Sequence, residues 1–183
     1  MLTLILGGAR SGKSRLAQSL AVTAPRVCYV ATAQAGDDVE MQRRIERHRL
    51  DRPPSWKVIE EPLALADAVE RAAPDCDAMI VDCLTLWLSN LFWEHRDSSP
   101  DAVENSTQVE LGRIVLASAA CHVILVSNEV GCATVPEEAV TRLFRDSQGL
   151  LNQRAAAAAD QVILVVAGLP QYLKSAAERG AAS

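Results

Sequence analysis

The run Leu2-Thr3-Leu4-Ile5-Leu6, followed at once by Gly7-Gly8-Ala9-Arg10-Ser11-Gly12-Lys13-Ser14, constrains this chain more than any other stretch of it. An apolar segment of that length reads as a buried strand. The residues after it fit the phosphate-loop pattern of Gly, four residues, Gly-Lys, then Ser or Thr. Gly7 and Gly12 let the backbone turn sharply and bring its N–H groups against phosphate oxygens. Lys13 supplies a mobile positive charge for the β- and γ-phosphates, and the Ser14 hydroxyl is placed to hold Mg²⁺. The helix that follows turns its positive dipole end toward the same anion. A glycine-rich strand-to-helix turn with no ligand is the bland alternative, and the flanking strand and helix both favour the P-loop.

The same alternation continues along the chain. Apolar, β-branched runs at Leu2–Leu6, Arg26–Ala31, Trp56–Ile59, Ala78–Val81, His122–Val126 and Gln161–Val166 read as strands. Helical stretches lie between them at Lys13–Thr23, Asp37–Leu50, Pro62–Ala72, Leu84–Glu94, Ala102–Ala120 and Pro136–Ala159, with Pro136 and the acids after it as a helix start. The pattern predicts an α/β P-loop NTPase fold with a mostly parallel sheet covered by helices on both faces. Arg96–Ser106 is the most loop-like interior stretch, and the Ala-rich tail after Lys174 is expected to fray. No repeat or linker divides residues 1–183, so the reading is one domain.

Composition excludes some classes of function. A net charge of −5 argues against a broad electrostatic grip on nucleic acid, which rests on neutralising phosphates. The five cysteines, Cys28, Cys76, Cys83, Cys121 and Cys132, are scattered and lack metal-type pairing, so reduced thiols packed mostly as core residues are expected. No stretch has the length of a bilayer span or the form of a secretory leader, and the reading is a cytoplasmic protein without stable membrane insertion.

Ligands of such sheets collect at the carboxyl ends of the strands. Three strand ends are polar here. Ala31-Thr32-Ala33-Gln34 follows the second. Asp82 follows Ala78-Met79-Ile80-Val81 in the manner of a Walker B acid that holds Mg²⁺, or else caps the next helix. Ser127-Asn128-Glu129-Val130-Gly131 follows the fifth, where Asn and Glu position a substrate, sense the γ-phosphate, or form an ordinary turn. The segment Asp37–Leu50 carries Arg43, Arg44, Arg47, His48 and Arg49. Such a run is often a solvated face. Yet Arg44 and His48 are one helical turn apart, which presents an imidazole beside a guanidinium. That pairing suits attack on an α-phosphorus, with Arg groups stabilising the departing pyrophosphate. An exposed histidine with no such role is the competing reading, while His95 and His122 read as structural.

The residues together are similar to a known family. The P-loop, Tyr29-Val30-Ala31-Thr32-Ala33, Arg44-Ile45-Glu46-Arg47-His48-Arg49 with Arg52-Pro53, Ser127-Asn128-Glu129-Val130-Gly131 with Val135-Pro136, and Phe144-Arg145-Asp146 with Asn152-Gln153 and Ala159-Asp160 stand in order. This set resembles the bifunctional adenosylcobinamide kinase / adenosylcobinamide-phosphate guanylyltransferases of cobalamin biosynthesis, from the first strand to about Gly168. The resemblance implies a RecA-like fold, a homotrimer, and two reactions. Adenosylcobinamide is phosphorylated with ATP or GTP, and GMP from a second GTP is then transferred through a histidine to give adenosylcobinamide-GDP and pyrophosphate.

By its place in the Arg-Ile-x-x-His-x-x-x-Arg-Pro pattern the histidine is His48, and Lys13 is the second catalytic residue. The nucleotide contacts implied are Gly7, Gly8, Ala9, Arg10, Ser11, Gly12, Lys13, Ser14, Ala31, Thr32, Ala33, Arg49, Leu50, Asp51, Arg52, Glu60 and Asp82, with Mg²⁺ on Ser14 and Asp82. Ala133 stands where the family pattern has a second glycine. Two rivals remain: a P-loop small-molecule kinase without guanylyl transfer, and a regulatory nucleotide switch or motor acting on a macromolecule.

Overall fold

The computed structural model describes residues 1–34, 36, 38–50, 52–97, 100–132 and 134–175, without the side chains of Met41, Arg44, His48, Pro100 and Asp101. Its strands are β1 (Leu2–Gly7), β2 (Val27–Ala31), β3 (Lys57–Glu60), β4 (Ala78–Asp82), β5 (His122–Asn128), β6 (Gln161–Val166) and β7 (Leu169–Lys174). The helices are α1 (Lys13–Ala21), α2 (Val39–Leu50), α3 (Leu65–Ala72), α4 (Leu84–Glu94), α5 (Pro100–Ala117) and α6 (Ala139–Ala158). The strands form one sheet in the order β3-β2-β4-β5-β1-β6-β7. All pairs are parallel except β6 with β7.

The central strands are apolar throughout because both of their faces are covered, as parallel sheets require. β1 is buried along its whole length. Leu2, Leu4 and Leu6 pack on one face with Val30, Val81, Leu88, Ile114 and Leu151, a core roofed by α3 to α6. Ile5, Tyr29, Ile80 and Val126 turn the other way, against Ala17 and Ala21 of α1. The expected coverage of both faces holds, with most of the helices on one.

Several boundaries differ from the sequence reading. β7 was not expected: Ala167 (φ +52) and Gly168 (φ +82) form a two-residue reversal that folds it back on β6. Pro170 is tolerated there because β7 lies at the edge of the sheet. The stretch read as loop-like, Arg96–Ser106, is helical from Pro100 onward, since proline suits a first helical position and Val103 is buried. Helix α6 begins at Ala139 rather than Pro136. Arg142 Nη1 donates to the carbonyls of Pro136 (2.9 Å) and Glu137 (2.5 Å), which holds those residues as a turn ahead of the helix. The tail after Ser175 lies outside the described residues. Among the described residues no helix is long and apolar enough to cross a membrane.

Candidate active site

Strand register assembles the site. Glu60, Ala31 and Asp82 stand side by side at the carboxyl ends of β3, β2 and β4, and Asp82 is followed by Val126 on β5. Gly7, the last residue of β1, pairs with Asn128. Because β5 separates β4 from β1, the Asn128 end falls between the acid and the P-loop.

The P-loop takes backbone shapes that side chains resist. Gly12 begins α1 at φ +102 and Arg10 sits at φ +56. Gly7 has φ +155, and a Cβ there would stand 2.4 Å from the Val165 carbonyl oxygen on β6. Gly8, by contrast, has open space around it. The Gly168 N–H donates to the Ser11 carbonyl at 2.8 Å, so the β6–β7 turn buttresses the loop. Lys13 is buried in its stem and its Nζ donates to the Gly8 carbonyl at 2.7 Å, across the loop. The Ser11 hydroxyl is buried without a partner among the described residues, a donor that suits a phosphate oxygen.

Asp82 meets a network that sequence reasoning missed. Tyr29 Oη donates to Asp82 Oδ2 at 2.5 Å, and the Arg52 guanidinium carbon lies 3.6 Å from the Tyr29 ring centroid. Burial, and then the Asp82 charge, push the Tyr29 phenol far above its ordinary pKa, so it stays protonated and donates. Tyr29 read as one more apolar strand residue, and only its polar tip hinted otherwise. Arg52 Nε is buried without a hydrogen-bond partner among the described residues. Ser14 and Asp82 both line the cleft and offer hard oxygen donors. No cluster of three or more His, Cys, Asp or Glu able to hold a metal occurs among the described residues. That donor set fits Mg²⁺, which takes one or two protein oxygens and completes its shell from phosphates and water.

Asn128 is fixed from two sides. Its N–H donates to Thr85 Oγ1 (2.8 Å) and its carbonyl accepts from Asn152 Nδ2 (3.0 Å). Asn152 Oδ1 in turn accepts from Ser127 Oγ (2.7 Å) and Gln148 Nε2 (3.0 Å), all in the interior. The Glu129 carboxylate accepts from the Gly131 N–H at 2.8 Å and so folds back on its own turn. Ala133 lies outside the described residues.

These parts border one cleft of about 1030 Å³, large enough for a nucleotide with further substrate. The cleft is cationic in an acidic protein. Lys13 and six arginines line it, from the P-loop side (Arg10, Arg15) and the α2 side (Arg43, Arg47, Arg49, Arg52), against Glu40, Glu60 and Asp82. Focused positive potential of this kind draws in polyphosphates.

Of the residues expected to contact nucleotide, Arg10 to Ser14, Ala31, Ala33, Arg49, Arg52, Glu60 and Asp82 line the cleft. Arg49 and Glu60 are ion-paired to each other at its rim. Gly7, Gly8 and Ala9 are not among the lining residues, nor are Thr32 and Leu50. Thr32 is fully buried, with its hydroxyl donating to the Cys83 carbonyl and accepting from the Cys83 N–H, both at 2.8 Å. Leu50 is 77% exposed. Asp51 lies outside the described residues. His48 belongs to α2, whose Arg43, Ile45, Arg47 and Arg49 line the cleft, but its side chain is also outside the description. His122 accepts or donates at Thr3 Oγ1 (2.9 Å), far down β5, in keeping with a structural role. Four of the five cysteines are buried.

Residues 3–173 match the family model described as cobinamide kinase / cobinamide phosphate guanyltransferase. The chain is 46% identical over 175 residues to the bifunctional adenosylcobalamin biosynthesis protein CobP of Pseudomonas aeruginosa, covering 95% of this chain and 98% of that protein. It is 39% and 42% identical to the bifunctional adenosylcobalamin biosynthesis proteins CobU of Escherichia coli and Salmonella typhimurium, covering 95% of this chain and all of each relative. Among solved structures it resembles a prototypical ATPase from the type III secretion system of pathogenic bacteria, with a TM-score of 0.57 at 14% identity, over 97% of this chain and 57% of that one. That likeness is one of fold, a RecA-like P-loop NTPase.

Proposed function

The chain belongs to the cobinamide kinase / cobinamide phosphate guanyltransferase family, and from that premise we propose that a single cleft carries both reactions, with the P-loop gripping the triphosphate in each. The protein is a bifunctional kinase and guanylyltransferase of cobalamin biosynthesis. The observation that carries the one-cleft reading is that the P-loop and the arginine-rich helix α2 line the same cavity.

In the first reaction a hydroxyl oxygen of adenosylcobinamide attacks the γ-phosphorus of ATP or GTP and gives up its proton to solvent, the bond to the β-phosphate oxygen breaks, and the nucleoside diphosphate leaves. Lys13 and the P-loop N–H groups stabilise the transferring group, and positioning supplies most of the catalysis. Mg²⁺ would be held by Ser14 and Asp82, and when bound it neutralises phosphate charge. In the second reaction the neutral imidazole of His48 attacks the α-phosphorus of GTP and pyrophosphate departs into the arginine side of the cleft. A phosphate oxygen of adenosylcobinamide phosphate then displaces the histidine from phosphorus, giving adenosylcobinamide-GDP. Arg47 and Arg49 flank His48 in α2 and line the cleft, which supports this role.

A homotrimer in the cytoplasm completes the reading. Supporting assembly, the edge strand β7 leaves Leu169 at 71% exposure and Tyr172 and Leu173 largely uncovered, apolar surface that further copies of the chain would bury. The deciding experiment for the histidine uses GTP labelled at the α-phosphate. Acid-labile, base-stable label on the protein, absent from His48→Ala, is expected. A protein that stays unlabelled, or a variant that labels equally, would leave only a P-loop kinase.

A further inference from the structure

Tyr29 sits two residues before the end of β2 and is among the largest fully buried side chains. Its ring belongs to the α1-side core with Ala17 and Ile80, where a phenylalanine would fill the same space. Only the hydroxyl needs a polar partner, since a buried phenol must find an acceptor. The partner is Asp82 Oδ2 at 2.5 Å, on the neighbouring strand. Above the ring stands Arg52, which follows the histidine helix in the chain. A guanidinium stacked on an aromatic face keeps its in-plane N–H groups for phosphate, and the buried Nε of Arg52 is such a donor.

We propose that Tyr29 is a positioning residue for both reactions, its hydroxyl holding Oδ2 so that the other oxygen of Asp82 is left for the metal, and its ring seating Arg52. One rigid side chain then ties the metal-side acid to the arginine wall of the cleft. Arg52 and Asp82 lie far apart in sequence, and Tyr29 touches both. This inference rests on the reading that Asp82 holds Mg²⁺ beside a bound triphosphate.

The test measures Mn²⁺ binding by electron paramagnetic resonance of the free ion, with guanosine 5′-[α,β-methylene]triphosphate present. Tyr29→Phe, which keeps the ring, is expected to raise the Mn²⁺ dissociation constant about tenfold, the size of one lost hydrogen bond to a charged group, with little change in thermal melting. In an Asp82→Asn background the same substitution is expected to add nothing, because Tyr29 acts through that carboxylate. Tyr29→Leu, which also removes the stacking surface, is expected to weaken binding of the analogue itself. Mn²⁺ affinity within about twofold of wild type in Tyr29→Phe overturns the proposal, as does an equal loss in the Asp82→Asn background. A lowered melting temperature with unchanged Mn²⁺ affinity makes Tyr29 a core residue only. Wild-type protein that binds Mn²⁺ no better with the analogue than without it overturns the reading of the site, and this inference with it.

Discussion

Gly7→Ala should damage the fold before it damages catalysis. The new Cβ would stand 2.4 Å from the Val165 carbonyl oxygen and 2.7 Å from Ser11 Oγ, with the backbone at φ +155. Val165 is the registered partner of Gly7 on β6, so relief needs two strands to move apart rather than one side chain to swing. Overpacking of this sort costs about 1–3 kcal/mol. Holding a side chain at that φ adds about 1–3 kcal/mol. Together they take a large share of the roughly 5–15 kcal/mol that holds a domain folded. At about 2–4 °C per kcal/mol for a chain of this length, the melting temperature should fall by roughly 5–20 °C. Gly8→Ala is the control, since nothing stands within 4 Å of its Cβ. Thermal melting by far-ultraviolet circular dichroism reads both variants. Gly7→Ala melting within about 2 °C of wild type would refute the claim that β6, rather than the phosphate alone, demands a glycine there.

Lys13→Ala should lower cobinamide phosphorylation and guanylyl transfer together, each by about 10²-fold or more, in assays of nucleoside diphosphate and pyrophosphate release. Loss of one alone would mean two separate triphosphate sites. Asn152→Ala strips partners from Ser127, Gln148 and the Asn128 carbonyl at once, and urea denaturation should register a loss of about 2–4 kcal/mol. Burial pushes the thiols of Cys28 up to about 12 and of Cys83 and Cys121 up to about 11, against an ordinary value of 9.0. Unfolded thiols therefore ionise where folded ones stay protonated, the unfolded chain binds fewer protons, and stability falls as pH rises from about 9 toward 11. Urea midpoints that stay level across that range would contradict it. In the native state at neutral pH a thiol reagent should modify the exposed Cys132 quickly and the four buried cysteines only on unfolding.

The readable parts of the site were the contiguous ones. A P-loop is a local device, in which glycines, lysine and serine act on one phosphate from neighbouring positions, so spacing along the chain carried its geometry. Asp82 was legible because an acid at the end of an apolar strand is a local pattern as well. Tyr29 was not, because its partners come from the neighbouring strand and the loop after α2, and only strand register brings Asp82 and Arg52 to it. Thr32 is a second case. The family pattern implies a nucleotide contact there, and what spacing along the chain does not show is that its hydroxyl is held by the backbone of Cys83, a residue distant in sequence. The loop-like polar residues before Ser106 hid a helix start, since Ser and Asp suit turns and first turns alike.

Apolar periodicity and motif spacing, both properties of neighbours in the chain, therefore determined by themselves the α/β class, the P-loop and, with the family pattern, the histidine helix. The tertiary structure alone decided that β7 folds back antiparallel, that its turn props the P-loop, and that one buried tyrosine touches both Asp82 and Arg52. Those relations depend on which strand lies beside which, and sheet order is set by long-range packing that no local window of residues contains.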